Sequence, residues 1–297
     1  MPNPFNQSVI EEFRANHGQV GGFFEGARLL LLTTTGARTG TPHTTPVGYY
    51  PDGGERVLVI ASAGGAPEHP DWFRNLLANP RVTVEDGVFT YEANAVVLER
   101  AERDRAFARA VEADPGWAEY QAKTDRVIPV VALHGIAPDG PPNVNASSMT
   151  EGLKVIHDAF RRELALIREE FKKEFEEGFE EGFKKPGAAL GAQLRVNCLT
   201  LCQGLHNHHT GEDLGIFPFL GGRHPELAPV LDRLRQEHEA IAELLEQLSG
   251  VLAADDQAEP DRVLAQVERL TAELEAHLTY EEEQLIPLLT PVGEPDW

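Results

Sequence analysis

The sequence predicts an α+β protein of two domains: an N-terminal split antiparallel β-barrel with helical insertions and a C-terminal up-down four-helix bundle. Three observations carry this prediction. Residues 28–133 contain six short runs rich in Val, Leu, Thr and Tyr, cut by Gly, Pro and Asp turns. Residues 151–297 contain four stretches whose apolar positions recur in steps of three and four, the spacing of one helix face. Between them, residues 137–150 hold Pro138, Gly140, Pro141 and Pro142, then Asn, Ser and Thr, the composition of a linker. The expected division is therefore a barrel over 1–136, a linker over 137–150 and a bundle over 151–297.

In chain order, Asn6 to His17 reads as a short helix. The expected strands are Arg28–Thr34, Thr44–Tyr50, Arg56–Ala61, Arg81–Glu85, Val88–Leu98 and Ile128–Leu133. Pro51-Asp52-Gly53-Gly54 is a turn between two of them. Pro70 to Ala78 is a helix with proline in its first turn, and Arg100 to Glu112 a helix with Phe107 and Val111 on one side. Mostly consecutive strands with few helices favour an antiparallel barrel over an alternating βαβ sheet.

The bundle stripes are unusual because each contains a histidine. They run Leu153, His157, Phe160, Leu164, Ile167, Phe171; Leu194, Cys198, Leu201, Leu205, His208, Glu212; Leu227, Leu231, Leu234, His238, Ile241, Leu245, Leu248; and Val267, Leu270, Leu274, His277, Glu281, Leu288. Burying imidazole and carboxylate without partners costs several kcal/mol per charged group, and a metal is the natural compensation. His208 and Glu212 are four apart, as are His277 and Glu281, so each pair shares a helix face. His157 and His238 add one nitrogen each. Mixed nitrogen and oxygen ligation suits iron, with manganese and zinc as competitors, and two carboxylates can bridge two metals.

Other polar residues have blander readings. His209 borders the stripe and is either a ligand or a supporting donor. His206 and His224 fit surface or loop positions, Glu282 and Glu283 a solvated face, and Tyr280 lies beside the stripe. Cys198 and Cys202 are two small core residues one turn apart, since a zinc site would need a second cysteine pair. Phe171 to Lys185 repeats Phe every fourth residue around Gly178 and Gly182. It reads as a fraying helix extension, a flexible arm or a partner-binding arm.

His208-His209-Thr210-Gly211-Glu212-Asp213 followed by Ile216-Phe217-Pro218, and His277-Leu278-Thr279-Tyr280-Glu281-Glu282 followed by Leu285-Ile286-Pro287, resemble the signature of hemerythrin-like (HHE cation-binding) domains. The resemblance covers most of residues 151–290. It implies a non-haem di-iron centre with oxygen binding, iron handling or redox sensing as its role. Oxygen-carrying members place a second histidine one turn after the third-helix one; here Ala242 stands there, which argues against reversible oxygen carriage.

In the N-terminal half, Thr35 to Pro46 forms a loop between the first two strands with Gly36, Arg38, Thr39, Gly40, His43 and Thr44. Glycines permit close backbone approach, hydroxyls and amides donate hydrogen bonds, and Arg38 supplies a cationic fork suited to phosphate or carboxylate. A tight hairpin with a surface arginine is the competing reading. The loop is neither a Walker loop nor a dinucleotide fingerprint. A second glycine-rich loop, Ala61 to Trp72, includes Ser62, Ala63 and Gly65.

Together with Trp117, Tyr120 and the closing Arg126-Val127-Ile128-Pro129-Val130-Val131, these loops resemble the deazaflavin-dependent nitroreductase family of split-barrel oxidoreductases over residues 20–135. The resemblance implies binding of coenzyme F-420, with FMN as the alternative, and hydride transfer to a small organic acceptor such as a quinone or nitroaromatic. It places Arg38, Thr39, Gly40, His43, Thr44, Ser62, Ala63, Gly65 and Trp72 at the coenzyme, and Trp117 and Tyr120 at the acceptor. Tyr120 is the candidate proton donor or substrate clamp, with an aromatic core residue as the competing reading. Some members carry a basic residue at the position of His43 and a lysine at that of Ala63, so an anionic coenzyme tail meets less positive charge here.

The net charge of −22 falls mostly on residues 141–297 (−16, against −6 for 1–140), a surface that repels nucleic acid and anionic membranes. The polar Met1 to Asn16 has no apolar signal region, apolar runs such as Leu29 to Leu32 are far too short to cross a bilayer, and two cysteines fit a reducing compartment. The expectation is a cytoplasmic protein with no transmembrane segment and with homo-oligomerisation left open. Its function is a two-domain oxidoreductase with dioxygen as a candidate ligand of the bundle. The alternative is an oxygen- or iron-sensing module whose barrel binds a flavin-type ligand without turnover.

Overall fold

The computed structural model describes residues 3–54, 56–137, 143–176, 190–253 and 260–289. The chain divides into two compact units, Met1–Ala146 and Ser147–Trp297. In the first, six antiparallel strands close a barrel in the order β1-β2-β3-β6-β5-β4, with β4 returning to β1. They are β1 (Leu29–Thr35), β2 (Pro42–Pro51), β3 (Arg56–Ile60), β4 (Arg81–Glu85), β5 (Thr90–Val97) and β6 (Val130–Gly135). Alternating inward residues Leu30, Leu32, Val59, Val82, Val84, Ala93, Ala95, Val131 and Leu133 fill the interior. Burying each of the larger side chains stabilises the barrel by about 1.5–3 kcal/mol. Four helices surround it: α1 (Pro4–Ala15), α2 (Asp71–Ala78), α3 (Arg100–Ala113) and α4 (Gly116–Ala122).

Two expectations are corrected here. Strand β2 starts at Pro42, two residues before the expected start, because the β1–β2 ladder already pairs Thr35 with Pro42 and Thr34 with His43. Part of the expected linker belongs to the barrel unit. Val144 bridges Phe89, the Thr90 amide donates to Asn143 at 3.0 Å, and the Asn145 amide donates to Val88 at 2.7 Å. The turn before β5 has free backbone groups, and this segment satisfies them. Residues 138–142 lie outside the described residues.

The second unit is built on α5 (Met149–Glu176), α6 (Ala192–Gly211), α8 (Ala228–Ala253) and α9 (Pro260–Leu289). A five-residue π turn, Glu212–Ile216, and a short α7 (Phe217–Arg223) follow α6 without a break, a division of the second helix that periodicity did not foresee. Two apolar clusters occupy the interior. One is built around Leu164, Ile167, Leu205, Leu245 and Leu274, the other around Leu153, Phe217, Leu234 and Leu285. The inward positions of α9 beyond Glu281 are Leu285 and Leu289; the expected Leu288 is only partly buried. The cause is two successive steps of four residues. Cys198 and Cys202 are buried, unlinked thiols, and burial pushes the Cys202 thiol up. Phe171 is buried; residues 177–185 of the phenylalanine-rich stretch lie outside the described residues. No helix among the described residues is long and apolar enough to cross a membrane.

Candidate coenzyme site and candidate metal centre

The β1–β2 hairpin and the loop after β3 are joined through α2. The Asn75 carboxamide oxygen accepts the Ala37 amide at 3.0 Å, and its nitrogen donates to Thr34 Oγ1 at 3.1 Å. Asn79 donates to the Thr35 carbonyl at 3.4 Å. Within the hairpin, Thr39 and Thr41 hydroxyls lie 2.8 Å apart and both reach His43 Nε2, at 3.4 and 3.3 Å. A Cβ on Gly36 would fall 2.5 Å from Thr39 Oγ1 and 2.9 Å from His43 Nε2, so a larger residue there would push these side chains apart. Thr44 pairs with Thr33 through their hydroxyls at 2.8 Å. Arg38 and Gly40 sit exposed at the tip.

In the second loop Ala63, Gly64 and Gly65 are all left-handed, with φ of 49°, 63° and 82°. That conformation is strained for Ala63, and it closes a tight turn in which the Gly65 amide donates to the Ser62 carbonyl at 3.0 Å and the Ala66 amide to the Ala63 carbonyl at 3.1 Å. Ser62 Oγ accepts from the Gly64 amide at 3.4 Å. Arg126 holds the loop from beneath, donating to the carbonyls of Ser62 (2.6 Å), Ala66 (2.9 Å) and Ala61 (3.1 Å) and meeting His69 Nδ1 at 3.1 Å. Gly65 presses on α4, where an added Cβ would lie 2.8 Å from the Tyr120 carbonyl. Tyr120 is half-buried; its ring meets that of Trp117 edge-on at 5.8 Å, and Lys123 Nζ lies 5.1 Å from its centroid. Trp117 in turn donates to the Tyr50 hydroxyl at 2.6 Å. Trp72 is buried with the barrel core, so it backs this face from inside.

In the bundle unit, five imidazoles and two carboxylates converge between the two apolar clusters. Two groups have donor atoms within 4.8 Å of one another: His209, His238 and His277; and His157, His208, Glu212 and Glu281. The carboxylates lie between the groups. Glu212 Oε1 is 3.3 Å from His208 Nε2 and its Oε2 3.5 Å from His238 Nε2. Glu281 Oε2 is 3.4 Å from His157 Nε2 and 3.7 Å from His277 Nε2.

Among the described residues, twelve buried side-chain nitrogen and oxygen atoms lack a hydrogen-bond partner; nine are the five Nε2 atoms and four carboxylate oxygens of this cluster. Unpartnered polar atoms are costly singly. Nine gathered in one place, all lone-pair donors, match the requirement of a cation. The outer nitrogens are accounted for differently. His157 Nδ1 bonds to Glu282 at 2.8 Å, His238 Nδ1 to Asp213 at 3.1 Å and His277 Nδ1 to Glu237 at 3.0 Å. An ionised carboxylate only accepts, so each Nδ1 carries a proton, and the neutral form of each ring presents its Nε2 lone pair inward.

The protonation behaviour follows from burial and crowding. Burial, then neighbouring His157, lowers His208 to about 3. Burial, then His238, drives His209 far down, and burial with His277 lowers His238. These rings are therefore neutral and able to ligate. Burial and the nearby Glu281 carboxylate raise Glu212 well above its ordinary range. Burial works against both His157 and Glu281, yet their mutual contact, with Glu282 beside His157, favours charge on each.

A family model described as F420H(2)-dependent quinone reductase matches residues 6–134, and one described as hemerythrin HHE cation binding domain matches residues 148–289. An F420H(2)-dependent quinone reductase of Mycobacterium tuberculosis (strain ATCC 25618 / H37Rv) is 37% identical over 125 residues, 41% of this chain and 83% of the relative. The chain belongs to the F420H(2)-dependent quinone reductase family. Among solved structures, an F420-H2 dependent reductase is 42% identical and covers 36% of this chain and 94% of its own, with a TM-score of 0.34.

In this reductase-family barrel the hairpin residues Arg38, Thr39, Gly40, His43 and Thr44 form one group. Ser62, Ala63 and Gly65 form a second, against Tyr120, while Trp72 points into the core. In the hemerythrin-type unit His157, His208, Glu212, His238, His277 and Glu281 all meet. His209 joins them: it is buried and stacks on His238, whereas Ala242 is exposed. The signal available in the sequence was the adjacent pair His208-His209 in one stripe. Glu282 is not a solvated residue but an acceptor for both His157 and Arg161. His206 is exposed, and His224 pairs with Glu226, as surface positions would. Tyr280 lies off the cluster with Arg233 over its ring at 3.6 Å.

Proposed function

We propose that the barrel is a reductase using the deazaflavin coenzyme F-420 to deliver hydride to a quinone-type organic acceptor, and that the five imidazoles and two carboxylates of the bundle would hold two iron ions. The observation that carries the bundle reading is the gathering of nine buried, unpartnered donor atoms, with Glu212 and Glu281 each between the two imidazole groups. The barrel reading rests on family membership and on two glycine-containing loops, the first held to α2 by Asn75 and the second by Arg126.

When bound, F-420 supplies the hydride, and the protein supplies binding, orientation and electrostatics. Arg38 at the hairpin tip is placed to meet an anionic group of the coenzyme. The left-handed turn at Ala63 to Gly65, two of its three residues without a side chain, would let the coenzyme approach the backbone closely, and Arg126 keeps that loop in place. Tyr120 and Trp117 wall the adjoining side, where Tyr120 would clamp the acceptor. In the bundle, neutral His208 and His209 with the Nε2 atoms of His157, His238 and His277 would hold the metals. His209 supplies from α6 an imidazole that Ala242 does not supply from α8.

Two measurements test this. Titrating the purified protein with reduced or oxidised F-420, with FMN in parallel, should quench deazaflavin fluorescence and leave FMN unbound; FMN binding alone would overturn the coenzyme assignment. Metal analysis with an optical spectrum should find iron and near-ultraviolet to visible absorption; manganese or zinc in a colourless protein, after anaerobic ferrous reconstitution, would overturn the iron assignment.

A further inference from the structure

Asp213, Glu237 and Glu282 have one thing in common. Each is adjacent in sequence to a proposed ligand, and each grips an imidazole on a different helix. Asp213 follows Glu212 on the π turn and holds His238 on α8, at 3.1 Å. Glu237 precedes His238 on α8 and holds His277 on α9, at 3.0 Å. Glu282 follows Glu281 on α9 and holds His157 on α5, at 2.8 Å. The sense never reverses: π turn to α8, α8 to α9, α9 to α5.

We propose that these three carboxylates form a cross-helix relay of positioning residues, which orients His238, His277 and His157 and so sets the two donor groups as one unit. The proposal rests on reading the cluster as a metal centre. Its physical basis is the freedom of a histidine ring. The χ2 torsion has two broad minima, and either nitrogen can carry the proton. An acceptor on Nδ1 removes both choices and leaves Nε2 as the only donor to the interior. Because each acceptor neighbours a ligand, a shift of one helix moves a ligand and the grip on the next helix together.

These contacts differ from ordinary surface ion pairs. The imidazole side chains are 0–4% exposed, and the carboxylates are only partly exposed. Two carboxylates are themselves clamped: Arg161 donates to Glu282 at 2.8 Å and Arg233 to Glu237 at 2.8 Å. Among the described residues Asp213 contacts only His238 as a charged partner. It also sits in the π turn, a backbone form often found at functional sites. Asp213 is thus the least restrained member and the start of the relay.

The test is a Co(II) titration of the metal-free full-length protein, read by cobalt absorption and by metal per chain. Asp213→Leu, Glu237→Met and Glu282→Met keep side-chain bulk but remove the acceptor. Asp213→Asn, Glu237→Gln and Glu282→Gln keep an acceptor oxygen and lose the charge. Each acceptor-free variant should bind cobalt about 10–100-fold more weakly with an altered absorption envelope. The amide variants should recover most of the affinity and the wild-type envelope. Wild-type affinity and spectrum in the acceptor-free variants would overturn the relay while leaving the metal centre standing. So would amide variants that bind cobalt about 10–100-fold more weakly than wild type, a result that decides the matter even where an acceptor-free variant fails to fold. A wild-type protein that takes up no cobalt would instead overturn the metal reading itself.

Discussion

The imidazoles of His209 and His238 lie face to face, 4.1 Å between centroids and 10° between planes, although one ring belongs to α6 and the other to α8. Both Nε2 atoms are buried without a hydrogen-bond partner. Such a stack places two lone pairs side by side, a destabilising arrangement unless a cation lies between them.

His209→Ala should therefore lower metal bound per chain while leaving helix content unchanged, and His206→Ala, three residues away but exposed, should not. Elemental analysis of the two variants side by side decides. Equal metal content would return His209 to the role of a packing residue.

Removing Glu212 should have opposite effects on the two forms of the bundle. Its buried carboxylate sits near Glu281, and burial with that repulsion raises it. Glu212→Gln should stabilise the metal-free protein by about 1–2 kcal/mol and abolish the gain on adding metal. Urea midpoints with and without ferrous iron give both numbers; a loss of stability in the metal-free state would contradict this account.

Glycine-specific geometry separates two positions in the coenzyme loops. Gly40 has φ of 69° but nothing within 4 Å of an added Cβ, so Gly40→Ala should cost about 1–2 kcal/mol and little else. Gly65→Ala adds a collision with the Tyr120 carbonyl and Lys123 Cβ, both at 2.8 Å. It should displace α4 and weaken F-420 binding as well, read by fluorescence titration. Equal binding by the two variants would remove the 61–66 loop from the coenzyme site.

Arg126→Ala takes a donor from three carbonyls, of which that of Ser62 keeps the Gly65 amide, and should destabilise the barrel by about 2–4 kcal/mol. Arg126→Lys should rescue little, since one ammonium cannot reproduce the guanidinium fork. Chemical denaturation followed by tryptophan fluorescence suits this measurement, with Trp72 and Trp117 both in the barrel unit. Full rescue by lysine would mean that charge, not the fork, holds the loop.

His69 gives the same loop a pH dependence. Burial first, then the charges of Arg126 and Arg74, lower its pKa; the Arg74 partner Glu68 lies on the same side. A histidine lowered on folding binds its proton more readily when unfolded, so the unfolded state gains as pH falls. Barrel stability should be full above the ordinary histidine pKa of about 6.5 and decline below it. His69→Gln should flatten that decline; an unaltered pH profile would acquit His69.

Much of this was legible in the sequence for a simple reason. A helix face repeats every three or four residues, so the buried ends of four stripes and their His and Glu members can be read off directly. Strand positions such as Val82 and Val84 alternate in the same readable way, whereas Leu29 to Leu32 is buried on both faces. What escaped lies off those periods. The π turn at Glu212 depends on a widened backbone hydrogen bond that no residue type announces. Asp213, Glu237 and Glu282 fall beside the stripes, where charge usually means solvent, and only the neighbouring helix shows why each is held. Asn75 and Arg126 act on backbone amides and carbonyls distant in sequence, contacts with no local signature. Residues 143–146 look like linker because their pairing partner, the turn before β5, lies more than fifty residues earlier.

Cys198 and Cys202 have a practical consequence. Both sulfurs are sealed inside the bundle, and burial keeps Cys202 a thiol instead of a reactive thiolate. A maleimide can reach them only when the helices part. The rate of alkylation is therefore a clock for spontaneous opening, and comparing that rate with and without metal would time how much longer an occupied bundle stays shut.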